Sequence, residues 1–213
     1  HYPVIIIDEG EANKTLQTVE FIYNEFVRLE VDRNSFILAI GGGLVSDITG
    51  FAAVTFMRGL RFGFISSTLL AQVDAGIGGK NGVNFHRFKN MIGTIHQPEF
   101  VICDPNLLKT LSDKEFRNGL SELIKYALID NNEMFEFIER HISSITNRDV
   151  QVINTLIIQS IEIKIKLVEV DENDKGVRRL LNFGHSLGHA IEKNSSLSHG
   201  EAVAIGMVFA SKW

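Results

Sequence analysis

The chain has 213 residues, of which 45% are hydrophobic, and a formal net charge of -5 at pH 7, so it can bury a large core as one large domain or two smaller ones. It contains no run of lysine and arginine, so we expect no nucleic-acid partner. The sequence has no uninterrupted apolar stretch that could span a membrane and no signal peptide, so we expect neither a membrane partner nor secretion. Its single cysteine, Cys103, excludes an internal disulfide framework. We therefore expect a cytoplasmic protein in which Cys103, within an apolar run, is a small buried hydrophobe rather than a nucleophile.

The first part of the chain alternates between apolar runs and helical patterns. Short apolar runs of the buried parallel type predict strands over residues 3–7, 35–40, 61–65 and 101–103. Helical periodicity predicts helices over residues 14–30 and 44–57. This alternation is typical of a Rossmann-like α/β fold with a parallel sheet.

The second part is predicted to be all-α, with helices over 112–129, 131–145 and 149–169. We place a domain boundary near Leu111, between an α/β domain (1–111) and a helical domain (112–213). The chain starts directly in a strand-like run and ends at Trp213 within a helical pattern without a stop signal. We therefore expect it to be a fragment of a longer protein.

Three histidines and two carboxylates lie close together near the end of the chain, in 181–192 and in His199-Gly-Glu201. His185 and His189 are four residues apart, so on a helix they share one face and could bind one divalent cation or flank a substrate. A carboxylate from elsewhere could complete a three-ligand site with one open position, as in catalytic zinc sites. The alternative is a pair of capped or solvated helical histidines.

A glycine turn follows the second predicted strand and precedes a predicted helix. Gly41, Gly42 and Gly43 would present free backbone N–H groups at the positive end of that helix, which suits the pyrophosphate of a dinucleotide. The same three residues could equally be a tight turn without a ligand.

A glycine-rich segment, residues 69–84, contains four glycines around Asp74 and Lys80. So many glycines in a passive loop would be costly in conformational entropy, so we interpret the segment as a ligand cradle. Lys89 and Asn90 add a cation and an amide that can donate to phosphate oxygens. The alternative is a solvated basic turn.

Glu122 and Lys125 are three residues apart in an apolar helical segment. They would share one helix face, either as an exposed ion pair or as a partly buried pair. The apolar neighbours favour burial, where a charge needs a partner such as a metal.

Taken in order, several segments resemble the 3-dehydroquinate synthase family, and the match runs from about Gly10 to the end. They are 41–47 (GGGLVSD), 67–74 (STLLAQVD), 78–80 (GGK), 89–93 (KNMIG), 97–98 (QP), 122–125 (ELIK), 181–185 (LNFGH) and 199–207 (HGEAVAIGM). Several motifs in the same order are far more specific than any single motif.

The resemblance implies a lyase of the shikimate pathway that uses NAD and Zn2+ or Co2+. Its substrate would be a phosphorylated sugar acid, 3-deoxy-D-arabino-heptulosonate 7-phosphate, which is converted to 3-dehydroquinate and phosphate. The family's reaction passes through transient oxidation, phosphate elimination, reduction and an intramolecular aldol step. A homodimer is also implied, because Arg58 matches a residue that reaches the neighbouring subunit's site in this family.

The resemblance also implies the site residues. The metal ligands would be Glu122, His185 and His199, which leaves His189 to the substrate. The substrate-binding residues would be Arg58, Asp74, Lys80, Lys89, Asn90, Lys125, Lys164, Arg178, Asn182 and His189. Among these, the catalytic ones would be Lys80, Asn90, Lys125 and His189, the last in proton transfer. NAD would contact Glu11, Lys14, Gly41, Gly42, Gly43, Asp47, Ser67, Thr68, Asp74, Lys80, Lys89 and Thr110.

Three departures from the family pattern stand out. Ser66-Ser67-Thr68 replaces the family's Pro-Thr-Thr, the loop 193–198 is short, and the family's first strand–helix units and last helices lie outside the chain. Three alternatives stay open: a sister sugar-phosphate cyclase that makes an inosose or a valiolone, a metal-dependent alcohol or glycerol dehydrogenase, and a catalytically dead binding module. The joint presence of Lys80, Glu122, Lys125, His185 and His199 argues against the last.

Overall fold

A computed structural model describes residues 2–212. The chain forms two compact units, one of His1–Ser66 with Gly79–Ile102 and one of Ser67–Gly78 with Cys103–Trp213. The domain boundary near Leu111 stays a prediction, although the segment Ser67–Gly78 belongs with the second unit.

The first unit contains a three-stranded sheet with the strand order β1-β2-β5 and a separate two-stranded hairpin, β3-β4. Strands β1 and β2 are parallel, from Phe36 opposite Arg61 to Gly41 opposite Ser66, as the α/β prediction requires. The elements in chain order are α1 (Leu16–Arg28), β1 (Phe36–Gly41), α2 (Gly43–Thr55), β2 (Arg61–Ser66), β3 (Lys80–Phe85), β4 (Phe88–Ile95) and β5 (Val101–Cys103).

Helix α1 begins where its sequence provides a cap and an apolar stripe. The Thr15 hydroxyl accepts a hydrogen bond from the Thr18 N–H at 3.2 Å, which satisfies one of the unpaired donors of the first turn. Val19, Ile22 and Phe26, spaced three and four apart, are buried in one core with residues of α2 and β2. This stripe is what the helical periodicity of 14–30 predicts.

The strand predicted over residues 3–7 is not formed among the described residues. Side chains alternate in burial there as a strand would, since Ile5 and Ile7 pack on the core of the first unit while Val4 and Ile6 are 77% and 78% exposed. A strand also needs a hydrogen-bonded neighbour, and no described strand of the β1-β2-β5 sheet pairs with residues 3–7. The apolar run alone could not supply that pairing.

Part of the glycine-rich segment 69–84 forms a strand of the hairpin β3–β4, and the interpretation of the segment as a ligand cradle stays a prediction. Lys80 pairs with Ile95 and Gly82 pairs with Gly93 across the two antiparallel strands. A Cβ atom on Gly82 would meet the backbone of Ile92 and Gly93, so this glycine serves close strand packing. Within residues 69–84, Gly78 and Gly79 have positive φ values of 98° and 71°, so the turn they form requires the conformational freedom of glycine.

The second unit is helical, as predicted. Its α-helices are α3 (Asp113–Asp130), α4 (Asn132–Arg140), α5 (Ile142–Thr146), α6 (Val150–Val170), α7 (His185–Asn194) and α8 (His199–Ala210). Shorter helical turns cover Ala71–Ala75, Pro105–Thr110 and Val177–Asn182. Among the described helices, none is long and apolar enough to cross a membrane.

The helix predicted over 131–145 is divided into α4 and α5 at His141. This residue leaves helical geometry at φ -115° and ψ 21°, and its ring Nδ1 lies 2.8 Å from the Phe137 carbonyl oxygen. The His141 side chain thus interacts with a carbonyl oxygen at the end of α4, which favours termination of the helix there. The apolar periodicity nevertheless continues across this break, as the burial of Ile145 in α5 shows.

Candidate active site

Helix α3 carries Glu122 and Lys125 into the interior of the second unit. Their side chains are 0% and 1% exposed and form an ion pair between Lys125 Nζ and Glu122 Oε2. Burial alone would lower the pKa of Lys125, but the carboxylates of Glu122 and Asp74 outweigh it and raise that pKa, so the ammonium stays charged. The predicted buried pair is therefore confirmed, and the exposed alternative is wrong.

Two histidines stand at helix starts beside this pair. His185 is the first residue of α7 and follows Gly184, whose φ is 78°, whereas His199 is the first residue of α8. The start of α8 is anchored to α3, because the Gly200 N–H donates to Asn118 Oδ1 at 3.2 Å. Glu201 lies close to His199 in sequence but caps α8 by accepting from the Ser198 N–H at 2.8 Å.

Glu122, His185 and His199 bring three ligand atoms together within 4.8 Å of one another. Glu122 Oε1 lies 3.5 Å from His185 Nε2 and 3.9 Å from His199 Nε2. Ligands at zinc–nitrogen and zinc–oxygen distances of about 2.0–2.1 Å around a tetrahedral ion stand roughly 3.3 Å apart. The three atoms are thus spaced to fit zinc after a small contraction.

Glu122 Oε1 also shows that a cation fits here. The atom is buried and accepts no hydrogen bond from the described residues, which is costly for a carboxylate oxygen unless a cation or donor faces it. One carboxylate and two imidazoles are the donor set of catalytic zinc sites that keep one position open. These residues therefore fit a catalytic divalent metal.

His185 is suited to metal binding by its protonation state. Burial lowers its pKa and the Lys125 charge adds to this, and together they outweigh the opposing effect of Glu122. The ring is therefore neutral at pH 7, with a nitrogen lone pair available to a metal. Its other nitrogen, Nδ1, lies 3.2 Å from the Phe183 carbonyl oxygen, which favours Nε2 as the ligand atom.

The pair His185 and His189, which the four-residue spacing brings together, is not the ligand pair around Glu122. Their ring centroids are 5.4 Å apart, but His189 is exposed. Its nitrogen groups instead with Glu192 and His199. His189 therefore stands at the rim of the cluster, where a substrate group can reach it.

A second cluster in the same unit surrounds Asp74. Its carboxylate accepts from Tyr126 Oη at 2.7 Å and from Lys164 Nζ, which also donates to the Asp74 carbonyl oxygen at 2.6 Å. Burial would raise the pKa of Asp74, but the charges of Lys164 and Lys125 hold it well below its usual range. Burial lowers the pKa of Lys164, and Asp74 only partly offsets this.

Arg178 is 2% exposed and extends this cluster. Its Nη2 donates to the Gly78 carbonyl oxygen at 2.9 Å and its Nη1 to the Glu172 carbonyl oxygen at 2.6 Å. The Nε atom is buried and makes no hydrogen bond to the described residues. Asn182, by contrast, is exposed at the end of the short helix Val177–Asn182.

In the first unit, four of the predicted ligand-binding residues meet in one hydrogen-bond network. Lys14 Nζ donates to Asp47 Oδ2 and to Asn90 Oδ1, each at 2.5 Å. Asn84 joins it by donating to Glu11 Oε1 at 2.8 Å and accepting from the Asn90 N–H at 2.8 Å. Sequence reasoning did not identify Asn84, whose role depends on the missed hairpin.

The glycine turn lies where the sequence predicts it, at the carboxyl end of β1 and the start of α2. Gly42 caps α2 without any side-chain hydrogen bond, so the first N–H groups of this helix are arranged as an anion site would need. A Cβ atom on Gly41 would meet the Val45 side chain. This arrangement suits a pyrophosphate, and NAD contacts at Gly41, Gly42 and Gly43 stay a prediction.

The remaining predicted residues are spread over both units. Lys80 and Lys89 are exposed on β3 and β4, and Arg58 is exposed with φ of 68°. In the second unit, the Thr68 hydroxyl accepts from the Ala71 N–H at 3.1 Å, while Ser67 is partly buried and Thr110 is exposed. Their assignments to NAD or substrate stay predictions.

Cys103 is partly buried against the core of the second unit, so it is less buried than the sequence predicts. Burial raises the pKa of its thiol to about 11, and Sγ lies 3.5 Å from the Gln72 carbonyl oxygen. A protonated thiol that faces a carbonyl is a poor nucleophile.

Comparison with known proteins assigns the chain to one family over nearly its whole length. Residues 4–118 match the 3-dehydroquinate synthase N-terminal family and residues 119–213 match the 3-dehydroquinate synthase C-terminal family. The 3-dehydroquinate synthase of Pelobacter propionicus is 44% identical over 98% of this chain and 59% of its own length. That of Acetivibrio thermocellus is 46% identical over 97% of this chain and 58% of its own length. The chain thus spans somewhat less than three fifths of these relatives.

Solved structures of sugar-phosphate cyclases have the same fold. The 2-epi-5-epi-valiolone synthase ValA of Streptomyces hygroscopicus subsp. jinggangensis 5008, solved with NAD+ and Zn2+, is 35% identical with a TM-score of 0.89 over 94% of this chain and 57% of its own. A 2-deoxy-scyllo-inosose synthase complexed with carbaglucose-6-phosphate, NAD+ and Co2+ is 32% identical with a TM-score of 0.88, over 94% of this chain and 55% of its own. A probable glycerol dehydrogenase from Sinorhizobium meliloti 1021, at 12% identity and a TM-score of 0.63, shares the fold alone. The family matches, the two close relatives and this fold together establish that the chain belongs to the 3-dehydroquinate synthase family.

Proposed function

We propose that this chain carries the NAD-binding and metal-binding parts of a 3-dehydroquinate synthase. The reaction would convert 3-deoxy-D-arabino-heptulosonate 7-phosphate to 3-dehydroquinate and phosphate in the shikimate pathway. The proposal rests on the environment of Glu122 Oε1. This buried carboxylate oxygen accepts no hydrogen bond from the described residues, and it faces His185 Nε2 and His199 Nε2.

In the proposed site, Glu122, His185 and His199 would hold Zn2+ or Co2+, and Lys125 holds the Glu122 carboxylate in place through the buried ion pair. When bound, the metal supplies Lewis-acid polarisation of a substrate hydroxyl, and NAD supplies a reversible hydride acceptor. The protein's own contribution would be to orient the substrate for these two groups. No net change in NAD is expected, because the hydride returns to the same substrate.

The cations near Asp74 suit the carboxylate of a sugar acid. Lys164 and Arg178 are buried cations, and the Arg178 Nε hydrogen makes no hydrogen bond to the described residues. A carboxylate that accepted from Arg178 and Lys164 would form charge-assisted hydrogen bonds, which are stronger than neutral ones. Asp74 and Tyr126 would hold the Lys164 ammonium in place for this contact.

The phosphate of the substrate would be bound by residues that donate protons or carry positive charge. We assign this role to Lys80, Lys89, Asn90, Asn182 and His189. Charged and amide donors stabilise the negative charge that grows on a leaving phosphate. His189, exposed at the rim of the metal cluster, is the proposed proton-transfer group.

Two observations favour dehydroquinate over the products of the sister cyclases. Identity is 44–46% to relatives named 3-dehydroquinate synthase and 32–35% to the solved inosose and valiolone synthases. Lys164 and Arg178 also suit a substrate carboxylate, which the sister cyclases' phosphorylated sugars lack. A homodimer with Arg58 at the subunit interface, and a cytoplasmic location, are part of the same proposal.

A substrate comparison tests this function. Purified protein with NAD and zinc is given either the heptulosonate 7-phosphate or glucose 6-phosphate, and phosphate release is measured together with NADH absorbance. We expect phosphate release from the heptulosonate without lasting NADH, and loss of that activity in His185→Ala. Turnover of glucose 6-phosphate alone would assign a sister cyclase, whereas steady NADH production from glycerol or another alcohol would assign a dehydrogenase.

A further inference from the structure

We propose that Glu192 is a positioning residue that orients His199 toward the metal. The inference rests on the proposed function, because it concerns how one ligand of the proposed metal site is held. The sequence places Glu192 beside the histidines as one of two nearby carboxylates, but it assigns this residue no role, because its partner lies on the next helix.

The geometry places His199 between two carboxylates. Its Nδ1 lies 3.3 Å from Glu192 Oε2, and its Nε2 lies 3.9 Å from Glu122 Oε1. Glu192 is near the end of α7 and His199 is the first residue of α8, so the contact spans the connection between the two helices. The Glu192 side chain is 16% exposed, which protects this hydrogen bond from competing water.

The consequence for the imidazole follows from its chemistry. A carboxylate that accepts from Nδ1 keeps the proton on that nitrogen, so the Nε2 lone pair is directed at the metal position. A charged acceptor also forms a stronger hydrogen bond than a neutral acceptor does, so it fixes the orientation of the ring more firmly. His185 has the neutral version of this support, since its Nδ1 faces the Phe183 carbonyl oxygen at 3.2 Å.

His199 needs the stronger support because it is less confined. Its side chain is 28% exposed, whereas that of His185 is 12% exposed. Packing therefore restricts the His185 ring more than the His199 ring, and a hydrogen bond must restrict the latter. The Glu192 carboxylate performs this function from α7, the helix that also carries His185.

Glu192 could instead be a metal ligand, since its carboxylate also groups with His189 and His199. In that arrangement His199 Nδ1 would face the metal. Glu122 Oε1, which points at Nε2, would then be left unpaired in the interior, and this favours the positioning role. The two roles differ in their effect on metal binding, because loss of a ligand abolishes the site whereas loss of a supporting acceptor weakens it.

Metal affinity and the spectrum of the cobalt form test the proposal. Zinc dissociation constants are measured by competition with a chelator in the unchanged protein, Glu192→Ala, Glu192→Gln and Glu201→Gln. Glu201 is the matched control, because it lies two residues from His199 and caps α8 through Ser198 without touching the imidazole. The visible absorption of the Co2+ form then reports on the ligand field.

We expect Glu192→Ala to weaken zinc binding by about 10- to 100-fold, as loss of an acceptor that supports a metal-bound histidine does. Glu192→Gln, which keeps an acceptor oxygen without the charge, should have a smaller effect, and both variants should shift the cobalt bands while still binding one metal. Glu201→Gln should change neither affinity nor spectrum appreciably.

The proposal is overturned if Glu192→Ala binds zinc within threefold of the unchanged protein, or if Glu201→Gln weakens binding as much as Glu192→Ala. Complete loss of metal from Glu192→Ala would make Glu192 a ligand and overturn the positioning role as well. The proposed function fails separately if the unchanged protein does not bind zinc, or if His185→Ala binds zinc as well as the unchanged protein does.

Discussion

Replacing Lys125 with methionine should reveal how strongly the interior of the second unit depends on paired charge. Methionine keeps much of the length and apolar volume of lysine but removes its ammonium group. In the structure that ammonium is 1% exposed and pairs with Glu122, whose side chain is 0% exposed. The change would therefore leave a carboxylate in the interior without its cation.

The expected loss is large because removing one partner of a buried pair costs about 3–5 kcal/mol. The Lys125 charge also helps to keep Asp74 ionised, which places the expected value toward the upper end. For a chain of this size each kcal/mol corresponds to about 2–4 °C, so the melting temperature should fall by roughly 6–20 °C. Zinc should restore part of the loss, because a divalent cation compensates the Glu122 carboxylate.

The assay is thermal unfolding of the metal-free and zinc-saturated protein, followed by circular dichroism. Arg28→Met is the matched control, because Arg28 and Glu25 form an ion pair with the same three-residue spacing in a helix but with 62% of the arginine side chain exposed. A solvated pair contributes little to stability, so this variant should melt close to the unchanged protein. If Lys125→Met also melts within the error of Arg28→Met, or if zinc stabilises it less than the unchanged protein, the charge argument fails.

Three further predictions concern packing, the helix contact behind the site and the thiol. Arg148→Met should destabilise the protein by about 1–3 kcal/mol in urea, because Arg148 Nη1 donates to the carbonyl oxygens of Leu108 at 3.0 Å and Leu111 at 2.6 Å; an unchanged urea midpoint would contradict this. Gly206→Ala should weaken zinc binding, measured by titration, because its Cβ atom would meet the Gly184 carbonyl oxygen next to His185; retained affinity would show that α7 and α8 separate without moving the ligand. Cys103 should react with iodoacetamide at pH 8 more than about 100-fold slower than a free cysteine, because its thiol pKa of about 11 leaves little thiolate; rapid labelling would mean that the thiol is accessible.

The helices were the most predictable part of the fold because their signals are local. Ser112 accepts from the Glu115 N–H at 3.3 Å and Asp149 from the Val152 N–H at 3.0 Å, so each caps a helix at a start that the sequence predicts. The strand over residues 3–7 and the hairpin β3–β4 depend on pairing between distant segments. Periodicity contains no information about which segments pair, so it predicts a strand over residues 3–7 that has no partner and does not predict the hairpin.

The candidate site also has a part that local sequence signals predict and a part that they do not. Glu122 and Lys125 share a helix turn, so their spacing and apolar setting predicted the buried pair. Tyr126 donates to Asp74 over 52 positions of sequence, and no spacing rule predicts this contact. Glu192 lies in the histidine-rich segment, but spacing does not predict that it meets His199 from another helix. Contacts of this kind depend on how the helices pack, and this packing cannot be predicted from the periodicity and motifs of a single sequence.

The four-residue spacing of His185 and His189 is a local rule that does not predict which histidines bind the metal. The rule places two imidazoles on one face of α7, but which of them meets Glu122 depends on the neighbour that packs on that helix. A Cβ atom on Gly188 would meet Val203 of α8, so the glycine lets α8 approach α7 closely. The approach brings His199, at the start of α8, within 3.9 Å of Glu122 Oε1, and His189 is left exposed. Glycine spacing on α7 and α8, rather than histidine spacing alone, therefore decides which imidazoles can share a metal.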